Sequence, residues 1–174
     1  MYLPLRHNEV AKSLYHAVAR TFDPLATYKN PERTSAIGPL EVWWDVRIKT
    51  APKVPNNKPD MVIWNHDLKE CTIVEVGVPL DVNVPRTESE KAEKYTPLML
   101  GLQRLYPKFK IQVVPIVIGA TGHITKNLKR HLVQLGFKER EVNPVISKLQ
   151  ERAIMGTVKI VKSALAKVPN STVK

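Results

Sequence analysis

Cysteine and long apolar runs are what this 174-residue sequence has least of. Its one cysteine, Cys71, excludes an internal disulfide and a cysteine-rich zinc site, and we interpret it as a small packing residue in a strand. No apolar run approaches the length needed to cross a bilayer, and residues 1–20 contain Glu9, Lys12 and other polar side chains instead of a signal-peptide pattern. We therefore expect a nuclear or cytoplasmic protein that is neither secreted nor inserted in a membrane.

Acidic residues are scarce in the last two fifths of the chain. Residues 1–102 contain 13 Lys and Arg against 13 Asp and Glu, whereas residues 103–174 contain 14 against 3, so the second segment accounts for the whole net charge of +11. A neutral part that holds most of the acids, joined to a strongly basic part, is the layout expected of a protein that binds a polyanion and carries out metal chemistry on it. A basic surface that serves only solubility is the alternative.

Periodicity in the first half of the chain predicts one helix followed by strands. A chain of 174 residues fits a single domain, 1–174. Helical spacing and strand-like alternation predict a first helix with Asn8 as its N-cap, then a loop, then three strands that form an antiparallel meander. These elements cover residues 8–22, 23–40, 41–50, 61–65 and 71–78.

The second half of the chain adds helices and one buried strand. A capping box, Thr87 with Glu90, predicts a helix from there to about Tyr106. The apolar run Ile111–Ile118 is typical of a strand covered on both faces and parallel to a neighbour. Two C-terminal helices are predicted, over about residues 126–135 and 144–167, the second with Asn143 as cap and Pro144 at its first position. We expect this long helix to turn an apolar stripe to the core, formed by Val145, Leu149, Met155, Val158, Val161 and Leu165.

These elements define the expected fold class. It is an α/β fold of the α+β kind, with a mixed central sheet of about four strands, helices on its faces and a basic helical C-terminal part over about residues 123–174. The parallel strand requires a helical crossover, and the helix from Thr87 supplies it.

Two acidic residues stand at one end of neighbouring predicted strands. Asp60 follows Pro59, which fixes the turn into its strand, and Glu75 comes after fourteen intervening residues inside an apolar run. An unpaired charge buried there would cost several kcal/mol, and a metal ion is one of the few partners that compensates such a cost. A salt bridge to a buried lysine is the alternative interpretation.

The motif Lys58-Pro59-Asp60, the spacing to Glu75 and the downstream run Lys91–Tyr95 carry a resemblance. Together with the order of the elements, they resemble the PD-(D/E)XK nuclease superfamily, and more narrowly the restriction-enzyme-like endonuclease domain of site-specific non-LTR retrotransposons. The resemblance covers the core, about residues 6–122. It implies a restriction-endonuclease-like core, and a domain that nicks target DNA as part of a reverse transcriptase polyprotein.

One position departs from the superfamily pattern. That pattern places a lysine two residues after the acidic residue, where this chain has Gly77. Because residues 75 and 77 face the same side of a strand, Gly77 leaves a space beside the carboxylate. Lys91 and Lys94 of the following helix are the candidates to fill it, as a displaced lysine does in the retrotransposon branch, with a slight preference for Lys91.

The resemblance implies metal-assisted hydrolysis of phosphodiester bonds. Asp60 and Glu75 would bind one or two Mg²⁺ ions, or Mn²⁺, with the carbonyl of Val76 as a further ligand. A lysine would orient the attacking water or stabilise the developing negative charge. Glu9 corresponds to a first-helix glutamate that reaches the metal or its waters in related nucleases, and a favourable charge near a helix N-terminus is the alternative role for it.

The expected partner is DNA. The predicted phosphate contacts are Lys58, Lys126, Lys129, Arg130 and Arg140. The five histidines show no ligand spacing, and we interpret each as a surface or core residue.

Two other functions stay open: a catalytically silent nucleic-acid-binding module with the same fold, and a nuclease that acts on branched DNA as a homodimer, like Holliday-junction resolvases. An exposed apolar patch on the C-terminal helix would favour the last of these. Neither reverse transcriptase motifs nor a zinc knuckle occur in the chain, so we expect a polyprotein fragment or a free-standing derivative.

Overall fold

The computed structural model describes residues 3–27 and 30–167. Residues 1–2 and 168–174, at the two ends of the predicted domain, lie outside the described residues, as do residues 28–29 of the predicted loop.

A single mixed sheet organises the molecule. Its strands lie side by side in chain order. The first three pairs of neighbouring strands are antiparallel, and the last pair is parallel. This confirms the α+β class and the parallel last strand. The strands are β1 (Thr34–Ile37), β2 (Leu40–Trp44), β3 (Met61–Asn65), β4 (Glu70–Gly77) and β5 (Lys110–Val117).

The first strand was not predicted, and the second is shorter than expected. β1 lies inside the predicted loop and joins β2 through a turn at Gly38, whose φ is +56°. A four-residue edge strand with an irregular exposure pattern is too short to show periodicity. β2 ends at Trp44 because Asp45 has φ +52°, a left-handed conformation that no β-strand continues through. The meander therefore has four strands and the sheet has five.

The helices occur where the sequence predicts them, but their ends differ. The first helix begins before Asn8, which is therefore not its cap, and the helix predicted from Thr87 begins at Val84, after a 3₁₀ turn at Asp81–Asn83. The last helix begins at Glu139, so Asn143 is not its cap and Pro144 lies inside it, and the Glu141 carboxylate accepts a hydrogen bond from the Lys138 N–H at 2.8 Å. The helices are α1 (Leu3–Phe22), α2 (Val84–Lys94), α3 (Thr96–Leu105), α4 (Asn127–Gln134) and α5 (Glu139–Leu165). None of these described helices has both the length and the apolar character that crossing a bilayer requires.

One predicted helix is two helices, α2 and α3. The chain breaks at Tyr95, with φ −100° and ψ 2°, two residues before Pro97. Proline has no N–H to donate to the preceding turn, so a continuous helix would lose a hydrogen bond there. The break leaves the Tyr95 side chain buried between the new helix and the sheet.

Two apolar cores lie on opposite faces of the sheet. On one face, α1, α4 and α5 cover Val74 and Val76 of β4. On the other face, α3 covers Cys71 and Ile73, which alternate with Val74 and Val76 along the same strand. The next residue in the second alternation is Glu75, so its side chain points to the face that carries α2 and α3.

The apolar stripe predicted for α5 is only partly buried. Leu149 is fully buried, and Val145 packs at the margin of the core. The outer half of the stripe is exposed because α1 packs on a different line of α5, where Gly156 allows close approach: a Cβ added there would lie 2.7 Å from Cγ of Arg6. The buried line is Val142, Ile146, Leu149, Ala153 and Gly156. The exposed predicted residues are Met155, Val158, Val161 and Leu165.

Two leucines of α5 test this orientation. We expect Leu149→Ala to lower the free energy of unfolding by about 2–5 kcal/mol, because it leaves a cavity in a packed core. The matched change Leu165→Ala, at a side chain that is 65% exposed, should alter it by less than about 0.5 kcal/mol. Urea unfolding measures both, and equal effects would contradict the orientation of α5.

Candidate active site

Asp60 and Glu75 meet at one end of the sheet. Met61 pairs with Val74 across β3 and β4, so the residue before Met61 comes opposite the residue after Val74. The backbone N–H of Asp60 donates to Oε2 of Glu75 at 3.3 Å, and the N–H of Val76 donates to Oδ2 of Asp60 at 2.7 Å. The two predicted acids are therefore neighbours joined through backbone groups.

Glu75 is buried and shared by two lysines. Its side chain is 7% exposed, in an apolar strand where an uncompensated charge would be costly. Lys91 Nζ lies 3.1 Å and Lys94 Nζ 3.0 Å from the same oxygen, Oε1. The two predicted lysines thus both reach the carboxylate, from consecutive turns of α2. Lys91 is the less exposed of the two, at 19% against 39%.

Gly77 makes room for Lys91. A Cβ added at position 77 would lie 2.7 Å from Cε and 3.2 Å from Cδ of Lys91, and 3.3 Å from a methyl group of Thr87. The stem of Lys91 therefore passes directly over the glycine on its way to Glu75. The space that the sequence indicates beside the carboxylate is filled by this lysine stem.

His7 joins the site, although the sequence pattern did not single it out. Its Nε2 lies 3.0 Å from Oδ2 of Asp60, the oxygen that also accepts from Val76. A usable signal was the helical spacing of His7 to Val10, Ala11 and Leu14, which are buried along the inner side of α1. A histidine at the start of that buried line has to lie near an end of the sheet.

The electrostatics of His7 and Asp60 support an ion pair. The hydrogen bond with Asp60 raises the pKa of His7 above its ordinary value, against the opposing effects of burial and of the charge of Lys91. Burial by itself raises the pKa of Asp60, but the hydrogen bond and charge of His7, the N–H of Val76 and the charge of Lys91 outweigh it and lower that pKa. Both shifts favour imidazolium beside carboxylate.

Tyr95 holds the loop that carries Asp60. Its hydroxyl donates to the carbonyl of Lys58 at 3.0 Å, two residues before Asp60. Burial raises the pKa of Tyr95, and the nearby charges of Glu75 and Asp60 raise it further, so the phenol stays protonated and remains a donor. The break between α2 and α3 is what places this ring under the site.

Two predicted site residues lie apart from this cluster. Glu9 is half-buried on α1 and forms no hydrogen bond or ion pair with any side chain that the structure describes. Two residues along a helix correspond to a rotation of about 200°, so when His7 points to Asp60, Glu9 points away from it. The ammonium of Lys58 lies 2.8 Å from Oδ2 of Asp45, and both side chains are exposed.

The predicted phosphate contacts of the C-terminal part are all exposed. Lys126 precedes α4, Lys129 and Arg130 lie on α4, and Arg140 lies near the start of α5. Within the described part of the chain, none of them forms an ion pair with Asp60 or Glu75.

The donor atoms fit a hard divalent cation. Asp60 and Glu75 offer carboxylate oxygens, which Mg²⁺ and Mn²⁺ prefer. Among the described residues, no group of three or more His, Cys, Asp and Glu side chains is arranged to hold a metal. Mg²⁺ keeps several waters and needs only one or two carboxylates, so the acid pair is a sufficient donor set. An ion that binds there competes with Lys91 and Lys94 for Glu75.

No family model matches the chain, and no curated protein matches it.

Substitution at Gly77 tests the packing of Lys91. We expect Gly77→Ala to lower the free energy of unfolding by about 1–3 kcal/mol, because the new methyl group displaces Lys91 from the buried Glu75. In a Lys91→Ala background the same change should cost much less, because the stem that it meets is gone. Urea unfolding of the four proteins gives the coupling, and an equal cost in both backgrounds would contradict the contact.

The ion pair between His7 and Asp60 predicts a dependence of stability on pH. A histidine whose pKa is raised on folding contributes stability that is complete below its unfolded value, about 6.5, and is lost as the pH rises through the folded value. Because folding lowers the pKa of Asp60, the ion pair persists at acid pH and its contribution to stability is lost only when the pH falls through the pKa of Asp60 in the folded protein. We therefore expect His7→Gln, which keeps a donor but no charge, to destabilise the protein more at about pH 5.5 than at about pH 9. Urea unfolding in EDTA measures this, and equal destabilisation at both pH values would exclude a charged pair.

Proposed function

We propose that this protein is an endodeoxyribonuclease that uses Mg²⁺ or Mn²⁺ to hydrolyse phosphodiester bonds. The observation that carries the proposal is the arrangement around Glu75: a buried carboxylate opposite Asp60, with two lysine amines on one of its oxygens. Two acids and a lysine at one end of a sheet are the groups that hydrolysis of a phosphodiester needs. Their partial exposure leaves a route for substrate, since 20% of the Asp60 side chain and 39% of the Lys94 side chain are accessible.

Each residue has a defined task in this proposal. A divalent cation held by Asp60 and Glu75 would supply polarisation of the phosphate and a lower pKa for a bound water. Lys91, whose stem is fixed between Gly77 and α2, orients the attacking water or stabilises the negative charge that develops on the phosphate. Lys94, the more exposed of the two amines, is placed to meet the phosphodiester backbone. We also propose Val76 as a carbonyl ligand of the cation, and its N–H holds Asp60.

The position of His7 suggests how Asp60 keeps its orientation. Asp60 Oδ2 accepts from both His7 and Val76, which fixes the carboxylate at the end of the sheet. The half-buried Glu9 belongs to the proposal only if it acts through water, because a rotation of about 200° separates it from His7.

The biological setting follows from the resemblance. The motif Lys58-Pro59-Asp60 and the displaced lysine support a target-nicking domain of the retrotransposon type, which would act in the nucleus or cytoplasm with the rest of a reverse transcriptase polyprotein. The excess of basic residues in residues 103–174 supports DNA as the partner.

A catalytically silent nucleic-acid-binding module is a second candidate. It is favoured by the charge balance of the cluster, in which the two carboxylates meet two ammonium groups and an imidazole. Such a cluster has a structural role without any catalysis, because loss of one partner would leave a buried charge uncompensated.

A nuclease of branched DNA is a third candidate. It is favoured by the exposed apolar side chains of α5, among them Val158, Val161 and Leu165, which offer a surface for a second copy of the chain.

Plasmid nicking tests the proposal. We expect wild-type protein to nick supercoiled DNA in Mg²⁺ or Mn²⁺, and Asp60→Asn or Glu75→Gln to reduce the rate at least about 10²-fold. Lys91→Met keeps the stem over Gly77 but removes the charge, and should reduce the rate by about 10²–10³-fold. Lys94→Met should have the smaller effect, through weaker DNA binding.

Matched controls lie at the opposite end of the same strands. Asp67→Asn in the turn between β3 and β4, and Lys110→Met at the start of β5, change the same chemical groups at exposed positions and should leave the rate unchanged. Clean wild-type protein that binds DNA but nicks neither plasmid nor a four-way junction would overturn the nuclease and favour the silent module. Cleavage of the junction alone would favour the third candidate.

A further inference from the structure

A cleft lies between α1 and α5, away from the candidate active site. Its volume is about 650 Å³. One wall is the face of α1 that carries Ser13, His16 and Arg20, and the other is the face of α5 that carries Arg140, Lys148 and Arg152. We call this the α1–α5 cleft.

The α1–α5 cleft is strongly cationic. Arg20, Arg140, Lys148 and Arg152 line it, against one lining carboxylate, Glu141, which already accepts the N–H of Lys138. The ammonium of Lys148 also lies 2.8 Å from a carboxylate oxygen of Glu151, which is not part of the lining. The Nε atom of Arg152 is buried without a hydrogen-bond partner among the described residues. A buried guanidinium nitrogen without an acceptor in the protein leaves room for an acceptor from outside it.

Apolar side chains strengthen the field inside the cleft. Phe137, Pro144 and Val145 contribute to its lining. Low-dielectric walls lined by charges of one sign concentrate the potential and attract counter-ions of opposite sign. The cleft therefore selects an anion over a neutral ligand.

The length of the cleft indicates a polyanion. Its α1 wall runs from Ser13 to Thr21, about 12 Å at the helical rise of 1.5 Å per residue. Successive phosphates of one nucleic-acid strand lie farther apart than the axial rise of about 3.4 Å, because the strand winds around the axis, so the cleft is long enough for more than one phosphate. A single phosphate group would occupy only a small part of it.

We propose that the α1–α5 cleft binds the phosphate backbone of a nucleic-acid segment away from the bond that is cut. Along α1 the cleft begins about 9 Å and ends about 21 Å from His7, so it is separate from the Asp60–Glu75 cluster. This proposal rests on the proposed function only in taking a nucleic acid as the ligand. Binding in the cleft requires no cleavage, so the two proposals fail separately.

Salt-dependent binding tests the proposal. The full chain in EDTA is titrated into a fluorescently labelled DNA duplex, and anisotropy gives the binding constant at several salt concentrations. The cleft variant combines Arg20→Gln, Arg140→Gln and Lys148→Gln, three exposed positions. We expect the slope of log K against log salt to become shallower by about 2–3, since each phosphate contact contributes about 0.9.

Two control variants remove the same charge elsewhere. Lys69→Gln, Lys108→Gln and Lys110→Gln together neutralise three exposed lysines at the end of the sheet opposite Asp60. Lys126→Gln, Lys129→Gln and Arg130→Gln together neutralise the predicted phosphate contacts around α4. The first control should leave the slope within about 1 of wild type, because each lost phosphate contact changes it by about 0.9.

An unchanged slope in the cleft variant, or an equal change in the cleft variant and the first control, would overturn the proposal. A loss confined to the α4 variant would place the backbone on α4 instead and would also overturn it.

Thiol labelling locates the bound strand independently. The only native cysteine, Cys71, is buried, and burial raises its pKa to about 12, so it does not compete for a maleimide. DNA should slow labelling of Lys148→Cys at least about fivefold, because a site that is mostly occupied leaves only a small fraction of the protein open to the maleimide. It should not slow labelling of Lys108→Cys. Equal protection at both positions, or none at position 148, would contradict the proposed site even if the triple variants fold poorly.

Discussion

A buried carboxylate in an apolar strand is the constraint on which the rest of the site depends. Glu75 lies in β4 between apolar neighbours, where removal from water costs several kcal/mol unless partners compensate for it. Two ammonium groups from α2 and one backbone N–H from Asp60 provide that compensation. The position of α2, the register of β3 against β4 and the turn at Pro59 are all needed to bring these groups to one point.

Compensating the buried charge of Glu75 has structural consequences on both sides of the sheet. Lys91 needs a neighbour without a side chain, so position 77 is a glycine. The helix break at Tyr95 places a buried hydroxyl under the carbonyl of Lys58, which holds the loop before Asp60. On the other side, α1 brings His7 to the second carboxylate. Features that look unrelated along the chain therefore serve one cluster of charges.

The charges of this cluster lie apart from the basic surfaces of the helices. Asp60, Glu75 and their partners occupy one end of the sheet, while α4, α5 and the α1–α5 cleft carry many of the exposed positive charges. In the proposed function, a polyanion attracted to the helical surfaces would be held near a site whose own charges are nearly balanced. This separation would let the protein bind its proposed partner through one set of residues and carry out the proposed chemistry through another.

The sequence by itself determined the α+β class, the parallel last strand, and the grouping of Asp60, Glu75, Lys91 and Lys94. These depend on local signals: periodicity, a proline before a strand, and a glycine beside an acid. It did not determine β1, the break at Tyr95, the buried line of α5, or His7. Each of those is decided by contacts between residues distant in the chain: β1 exists only because it pairs with β2, and α5 buries the line that α1 contacts at Gly156. Only tertiary packing chose between two apolar stripes and brought a histidine from the first helix to Asp60, because periodicity indicates which side of a helix is buried but not which residues that side contacts.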